Sequence, residues 1–138
     1  MSAVAIVRAL LAAHAPLTAL VPPAKIFAGA APQGTEPPLV SVTRIYGDEI
    51  STIARRQPGK TMRTRVQVTV LAKDPGGYAA SDKILKAAAL GAGVHTGTVL
   101  SYSVKAILPM GEGPDLPVGD DKIHEKSRDF MVTYSEPI

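Results

Sequence analysis

The sequence contains no cysteine and no tryptophan, and aromatic residues make up only 4% of its 138 positions. Without cysteine, disulfides, thiolate metal ligands and cysteine nucleophiles are all excluded. With so few aromatics, the core has to be built from Val, Leu, Ile and Ala. Long apolar runs are missing too. The best candidate, "MSAVAIVRALLAAHAP", is interrupted by Arg8 and is too short to cross a bilayer. Its "AHA" resembles a small-residue cleavage site, but no basic start precedes the apolar stretch, as a secretory signal requires. The segment therefore reads as a soluble helix, and the chain as one that folds inside the cell. Hydrophobic residues at 46% and charged residues at 20% are ordinary for a globular protein. The length predicts a single domain spanning 1–138. A formal charge of +3 is mildly basic and does not by itself indicate nucleic-acid binding. Gly and Pro number 12 each, which implies many turns and long connections.

Local patterns outline the elements. Ser2 suits the start of a helix whose Val4, Val7, Leu10, Leu11 and His14 follow helical spacing, and Pro16 limits it to about Ala15, with "LTALV" able to add a short turn. After a Pro/Gly-dense connection, "LVSVTRIY" (39–46) reads as a strand. The clearest strand is "TRVQVTVLA" (64–72), with Val66, Val68 and Val70 on one side. "YAASDKILKAAALG" reads as a helix with Tyr78, Ser81, Leu85 and Ala88 along one stripe and Gly91 as its stop. "TVLSYSVKAIL" (98–108) alternates so as to put Leu100, Tyr102, Val104, Ala106 and Leu108 on one side. In the closing strand "IHEKSRDFMVTY", Phe130, Val132 and Tyr134 share a face. The expected fold is α+β: a four-stranded, mostly antiparallel sheet with two main helices packed on one face, in the order α-β-β-α-β-β, and long projecting loops at 47–63 and 109–122.

One short stretch suggests chemistry. "ARRQPGKT" (54–61) ends like a phosphate-binding loop, with Ala54 where the first glycine is usual. Such a loop needs a helix N-terminus behind its Lys, whereas "MRTRVQVTV" follows with a period of two. Pro58 also removes a backbone donor. Nucleotide binding through Gly59, Lys60 and Thr61 is accordingly a distant alternative, and no cofactor is expected. What remains is a basic segment, Arg55, Arg56, Lys60, Arg63 and Arg65, with no acid among them. Such a run is either a solvated hairpin tip or an arm that meets an acidic partner or a DNA backbone. With no interleaved aromatics, base stacking is not expected.

The three histidines, at 14, 95 and 124, show no metal-ligand spacing. His14 reads as a packing or capping residue. "DDKIHEK" gathers Asp120, Asp121, His124 and Glu125, but in a strand His124 and Glu125 face opposite sides. No metal site and no catalytic residue is assigned. No G-x-S-x-G elbow occurs, and an enzyme is not expected.

Several phrases together resemble a known family: "LLAAHAPLTALVPPAKIF" running into "APQGTEPPLVSVTRI", then "RTRVQVTVLAKDPGGYAASDKILKAAAL" and a terminal "SRDFMVTY". Over nearly the whole chain these resemble the tail-completion proteins of long-tailed bacteriophages, the group that includes lambda-type tail terminators. The resemblance implies a structural virion protein of the tail and neck, assembled in the host cytoplasm. Its implied form is a hexameric ring on the head-proximal end of the tail tube. Its implied partners are copies of itself, the tail tube protein, a head-side connector or stopper, and DNA passing through the lumen; no membrane is implied. A neighbouring neck component, such as a head-side stopper, is the nearest rival, and a nonspecific DNA-binding module a further one. Arg55, Arg56, Lys60 and Arg63 are the residues expected to face a partner or the lumen.

Overall fold

In a computed structural model of the protein, which describes residues 2–29, 32, 38–50, 60–73, 77–92, 97–100, 102–112, 116–118 and 123–136, the N-terminal apolar run folds as helix α1 (Ser2–Ala13). Its Ala- and Leu-rich composition favours helix, and Ala3, Val4, Ile6, Val7 and Leu11 bury one side. His14 leaves helical geometry at φ −89° and ψ 105°, and its carbonyl accepts the N–H groups of Leu17 and Thr18 at 3.1 and 3.0 Å. A second short helix, α2 (Ala15–Thr18), starts there, with Pro16 in its first turn, where the missing N–H is harmless. A 3-10 turn over Pro23–Lys25 then leads into strand β1 (Ile26–Ala28).

The remaining elements are strands β2 (Leu39–Ile50) and β3 (Lys60–Lys73), helix α3 (Gly77–Ala92), then strands β4 (Gly97–Val99), β5 (Tyr102–Glu112), β6 (Leu116–Val118) and β7 (Ile123–Glu136). They form one sheet in the order β1-β2-β3-β7-β5-β4, with β6 also paired to β7. The β1–β2 pair is parallel and the others are antiparallel. The expected four-stranded, mostly antiparallel sheet is therefore corrected to a seven-stranded mixed one. The three added strands are three residues each, "IFA", "GTV" and "LPV", too short to show a period. They exist through pairing with the strand that follows each of them, β1 with β2, β4 with β5 and β6 with β7.

The long strands also reach further than their sequence pattern. Residues 47–50 and 60–63, expected in a projecting arm, continue the β2–β3 ladder as far as Ile50 opposite Thr61. Residues 109–112 extend β5, and 116–118 form β6, so the expected 109–122 loop is partly strand.

Val40, Val42, Val66, Val68, Val70, Phe130, Val132 and Tyr134 are buried, as are Ile84, Leu85 and Ala88 of α3, in one cluster with the apolar side of α1. Helix α3 lies against β3 and β7, and α1 against α3, β1 and β2. In β5 the expected alternation fails halfway. A register shift between Val104 and Ala106 places Ile107 inside, opposite Val132, and turns Leu108 out, 52% exposed. The extra residue of a β-bulge reverses the facing of everything after it. Tyr102 meets Tyr134 edge-on, ring centroids 5.8 Å apart at 86°, a favourable aromatic geometry.

Gly91 lies inside α3 and not beyond its end. A Cβ there would stand 2.9 Å from Cγ of His14 and 3.0 Å from its Cβ. The glycine thus permits α3 to approach the α1–α2 junction. Helix propensity alone would make Gly91→Ala stabilising by about 1 kcal/mol, but overpacking costs about 1–3 kcal/mol. Because the obstructing atoms lie close to the backbone, they cannot swing aside. Gly91→Ala is expected to lower stability in urea denaturation, and to raise it in a His14→Gly background, which removes both obstructing atoms. The same sign in both backgrounds would contradict this contact.

Candidate functional site

Of the basic residues singled out in the sequence, Lys60 and Arg63 stand in the opening residues of β3. Lys60 opens β3, its backbone opposite Glu136 of β7. Arg63 is exposed, at the register position between Asp48 on β2 and Thr133 on β7. Arg55 and Arg56 lie outside the described residues. The structure thus sets two of the four candidates on one strand. Thr61 follows Lys60 within that strand, so a strand and not a helix stands behind the Gly-Lys-Thr tripeptide.

Arg65 belongs to a different environment from its neighbours. Its Nε donates to Oδ2 of Asp129 at 2.6 Å, and its Nη2 lies 2.6 Å from the same oxygen. The carboxylate is mostly buried, with a side-chain exposure of 14%. Period-two alternation puts Arg65 and Arg63 on the face opposite the buried valines. In the sequence Arg65 belongs to a cationic run without acids. Its acid is 64 residues away, and only the β3–β7 pairing brings the two together.

A second ion-pair group ties α3 to the sheet. Lys126 of β7 donates to Oδ1 of Asp82 at 2.8 Å, and Lys86, one turn along α3, lies 3.0 Å from Oδ2. The hydrogen bond from Lys126, followed by that from Lys86, holds the Asp82 carboxyl below its ordinary range. Asp82 and Lys86 stand one helical turn apart, an i, i+4 pair, whereas Lys126 reaches Asp82 from another element.

In "DDKIHEK", His124 stands opposite Ala72 and Glu125 opposite Leu71, on successive positions and so on opposite faces. Asp120 and Asp121 fall outside the described residues. Among the described residues no group of three or more His, Cys, Asp or Glu is placed to hold a metal ion. No described helix is long and apolar enough to cross a membrane.

The margins of the sheet are the other surface feature. On one side β1 covers β2 only from Val40 to Val42, and the guanidinium Nε of Arg8 donates to the carbonyl of Ile26 at 2.9 Å, tying down that short strand. Gly29, at φ +93°, closes this corner: its N–H donates to the Val42 carbonyl at 2.7 Å, and its own carbonyl accepts from the Ser41 hydroxyl at 2.6 Å. Beyond Val42 no described strand lies outside β2. On the other side β4 covers β5 only from Tyr102 to Val104.

The fold and the sequence can be set against known proteins. No curated protein matches the chain. A chain of the solved structure titled "Virion of native gene transfer agent (GTA) particle" is similar at 20% identity and a TM-score of 0.69, covering 96% of this chain and 94% of that one. The family model described as tail completion protein gp17 matches residues 5–96, well over half of the sequence. The chain belongs to that tail completion family and is a structural protein of the phage virion, at its tail and neck.

Proposed function

We propose that the protein forms a ring, most simply a hexamer, on the head-proximal end of the tail tube. There it ends tube growth and presents the surface to which the head's connector joins. DNA crosses the lumen of the ring, and the protein works through its surface, with no catalytic centre. The family match over residues 5–96 carries this reading. The likeness of the whole fold to a chain from a phage-like virion supports it. A sheet with two partly uncovered margins also suits a ring, because identical copies arranged head to tail cover each other's edges. The basic residues Arg55, Arg56, Lys60 and Arg63 are the part of this surface that meets the tube or the lumen.

Electron microscopy of the purified protein mixed with tail tubes, and separately with DNA-filled heads, tests the proposal. Caps on one end of the tubes are the expected result. Binding to heads alone would assign the protein to the head-side stopper, and binding to neither would overturn a neck role.

A further inference from the structure

Six large hydrophobic side chains are well exposed among the described residues, and five of them lie at the two margins of the sheet. Ile45 and Tyr46 stand on β2, where a bulge between Arg44 and Tyr46 breaks the register, beyond the stretch that β1 covers. Leu100, Leu108 and Met110 stand on the β4–β5 hairpin and the part of β5 that β4 leaves uncovered. Leu100 is notable for its backbone. Directly after Val99 it takes φ +50°, a left-handed conformation that suits Gly or Asn and strains a bulky residue. It is nevertheless 56% exposed. Strain of this kind, holding an apolar side chain in solvent, points to a contact made outside the subunit.

We propose that copies of this chain associate head to tail, with the β2 margin of one subunit (Ile45, Tyr46) seated against the β4–β5 margin (Leu100, Leu108, Met110) of the next. This deepens the ring reading above by naming the surfaces that join. Topology sets the sense of the contact. Strand β2 is antiparallel to β3, β3 to β7, and β7 to β5, so the two margins run in opposite directions. A neighbour related by rotation about an axis along the strands therefore brings its β5 antiparallel to β2. A two-fold contact would instead place β2 against β2.

Charge agrees with this sense. With Tyr46 aligned on the Leu108–Met110 stretch, antiparallel apposition keeps the exposed cations Arg44 and Lys105 toward opposite ends of the contact, whereas parallel apposition would bring them close together. The contact is made through side chains and not by a continuous ladder. Pro109 has no N–H to donate, and register shifts at Val104/Ala106 and Pro109/Glu112 break the regular edge of β5.

The absence of cysteine makes the test clean. Ile45→Cys and Leu108→Cys variants are prepared separately, and each alone and their mixture are treated with a flexible bis-maleimide. The mixture should give a covalent dimer, about tenfold or more above a Leu90→Cys plus Leu108→Cys mixture, because contact raises effective concentration. Neither variant alone should dimerise, and the double variant should give a ladder of oligomers. Crosslinking of Ile45→Cys to itself would show a two-fold contact and overturn the proposal. Rings seen by electron microscopy without the mixed crosslink would overturn it while leaving the ring itself standing. A protein that stays monomeric at every concentration in sedimentation would also overturn it, and tube capping would still report separately on the function. Leu100→Asn relieves the strained turn, so it should keep or raise the melting temperature of the subunit while weakening association. A raised melting temperature with unchanged association would remove Leu100 from the interface.

Discussion

Truncating Phe130 to alanine is expected to lower the unfolding free energy by about 3–5 kcal/mol. Phe130 is fully buried and is the largest of the fully buried side chains among the described residues. It sits midway along β7, opposite Val66 of β3 and Pro109 of β5. Strand β7 is where the two halves of the sheet meet, since β3 lies on one side and β5 and β6 on the other. The cavity left by the ring would be lined by stiff valines such as Val66, Val68 and Val132, which have little freedom to collapse into it. Apart from Tyr134 the rest of the core cluster is aliphatic, so no second phenylalanine is placed to fill the space. Domains of this size are held by about 5–15 kcal/mol in total, so the variant should be close to its unfolding limit at moderate temperature. Urea denaturation read by circular dichroism measures the loss; a shift under about 1 kcal/mol would show that β7 is not central to the core. Leu108→Ala, on the same sheet but outward-facing, is the matched control. It should stay within about 0.5 kcal/mol of the parent. A defect of Leu108→Ala in assembly would then be a defect of surface and not of folding.

The same contrast separates what could be read from the sequence from what could not. Val66, Val68 and Val70 declare their face through strict alternation, and Phe130, Val132 and Tyr134 do the same, because a strand's period is local information. Helix α1 was legible for the same reason. Leu108 misled because nothing in "SVKAIL" marks the extra residue at Val104/Ala106 that turns Ile107 inward. Strands of three residues carry no period at all, so β1 and β6 gave no signal, and β4 was read as the start of a single strand over 98–108 that the structure divides at Leu100. Gly91 resembled a helix stop because glycine at a helix end usually is one. Its actual requirement is the His14 ring, 77 positions earlier in the chain. Arg65 and Asp129, and Asp82 and Lys126, are joined by strand pairing and helix docking over long separations. The family, by contrast, was recognisable in the sequence, and its model match over residues 5–96 agrees with the phrases that carried it. Sequence held the local periods and the family's wording; register, bulges and close approaches came only with the fold.

Reversing Arg55, Arg56, Lys60 and Arg63 together to glutamate is expected to abolish attachment to tails. Lys60 and Arg63 lie in the opening residues of β3, and Arg55 and Arg56 precede Lys60 closely in the sequence, in a chain whose net charge is only +3. Reversal would leave the chain net negative and would set like charges against any acidic tube surface or phosphate backbone. Complementary fields raise encounter rates by large factors and like charges suppress docking, so the effect should exceed that of simple neutralisation. Replacing the same four with glutamine should therefore weaken attachment without abolishing it, and salt should weaken the attachment of the parent. Arg65 is left unchanged because its guanidinium already holds Asp129, and a carboxylate there would repel that partner within the sheet. Since Lys60 and Arg63 belong to β3, thermal unfolding of each variant is recorded beside the joining assay. A quadruple-glutamate protein that melts like the parent and still completes tails would remove this basic cluster from the assembly surface. The same protein, folded but unable to join, would place the working charge of the molecule in these four residues.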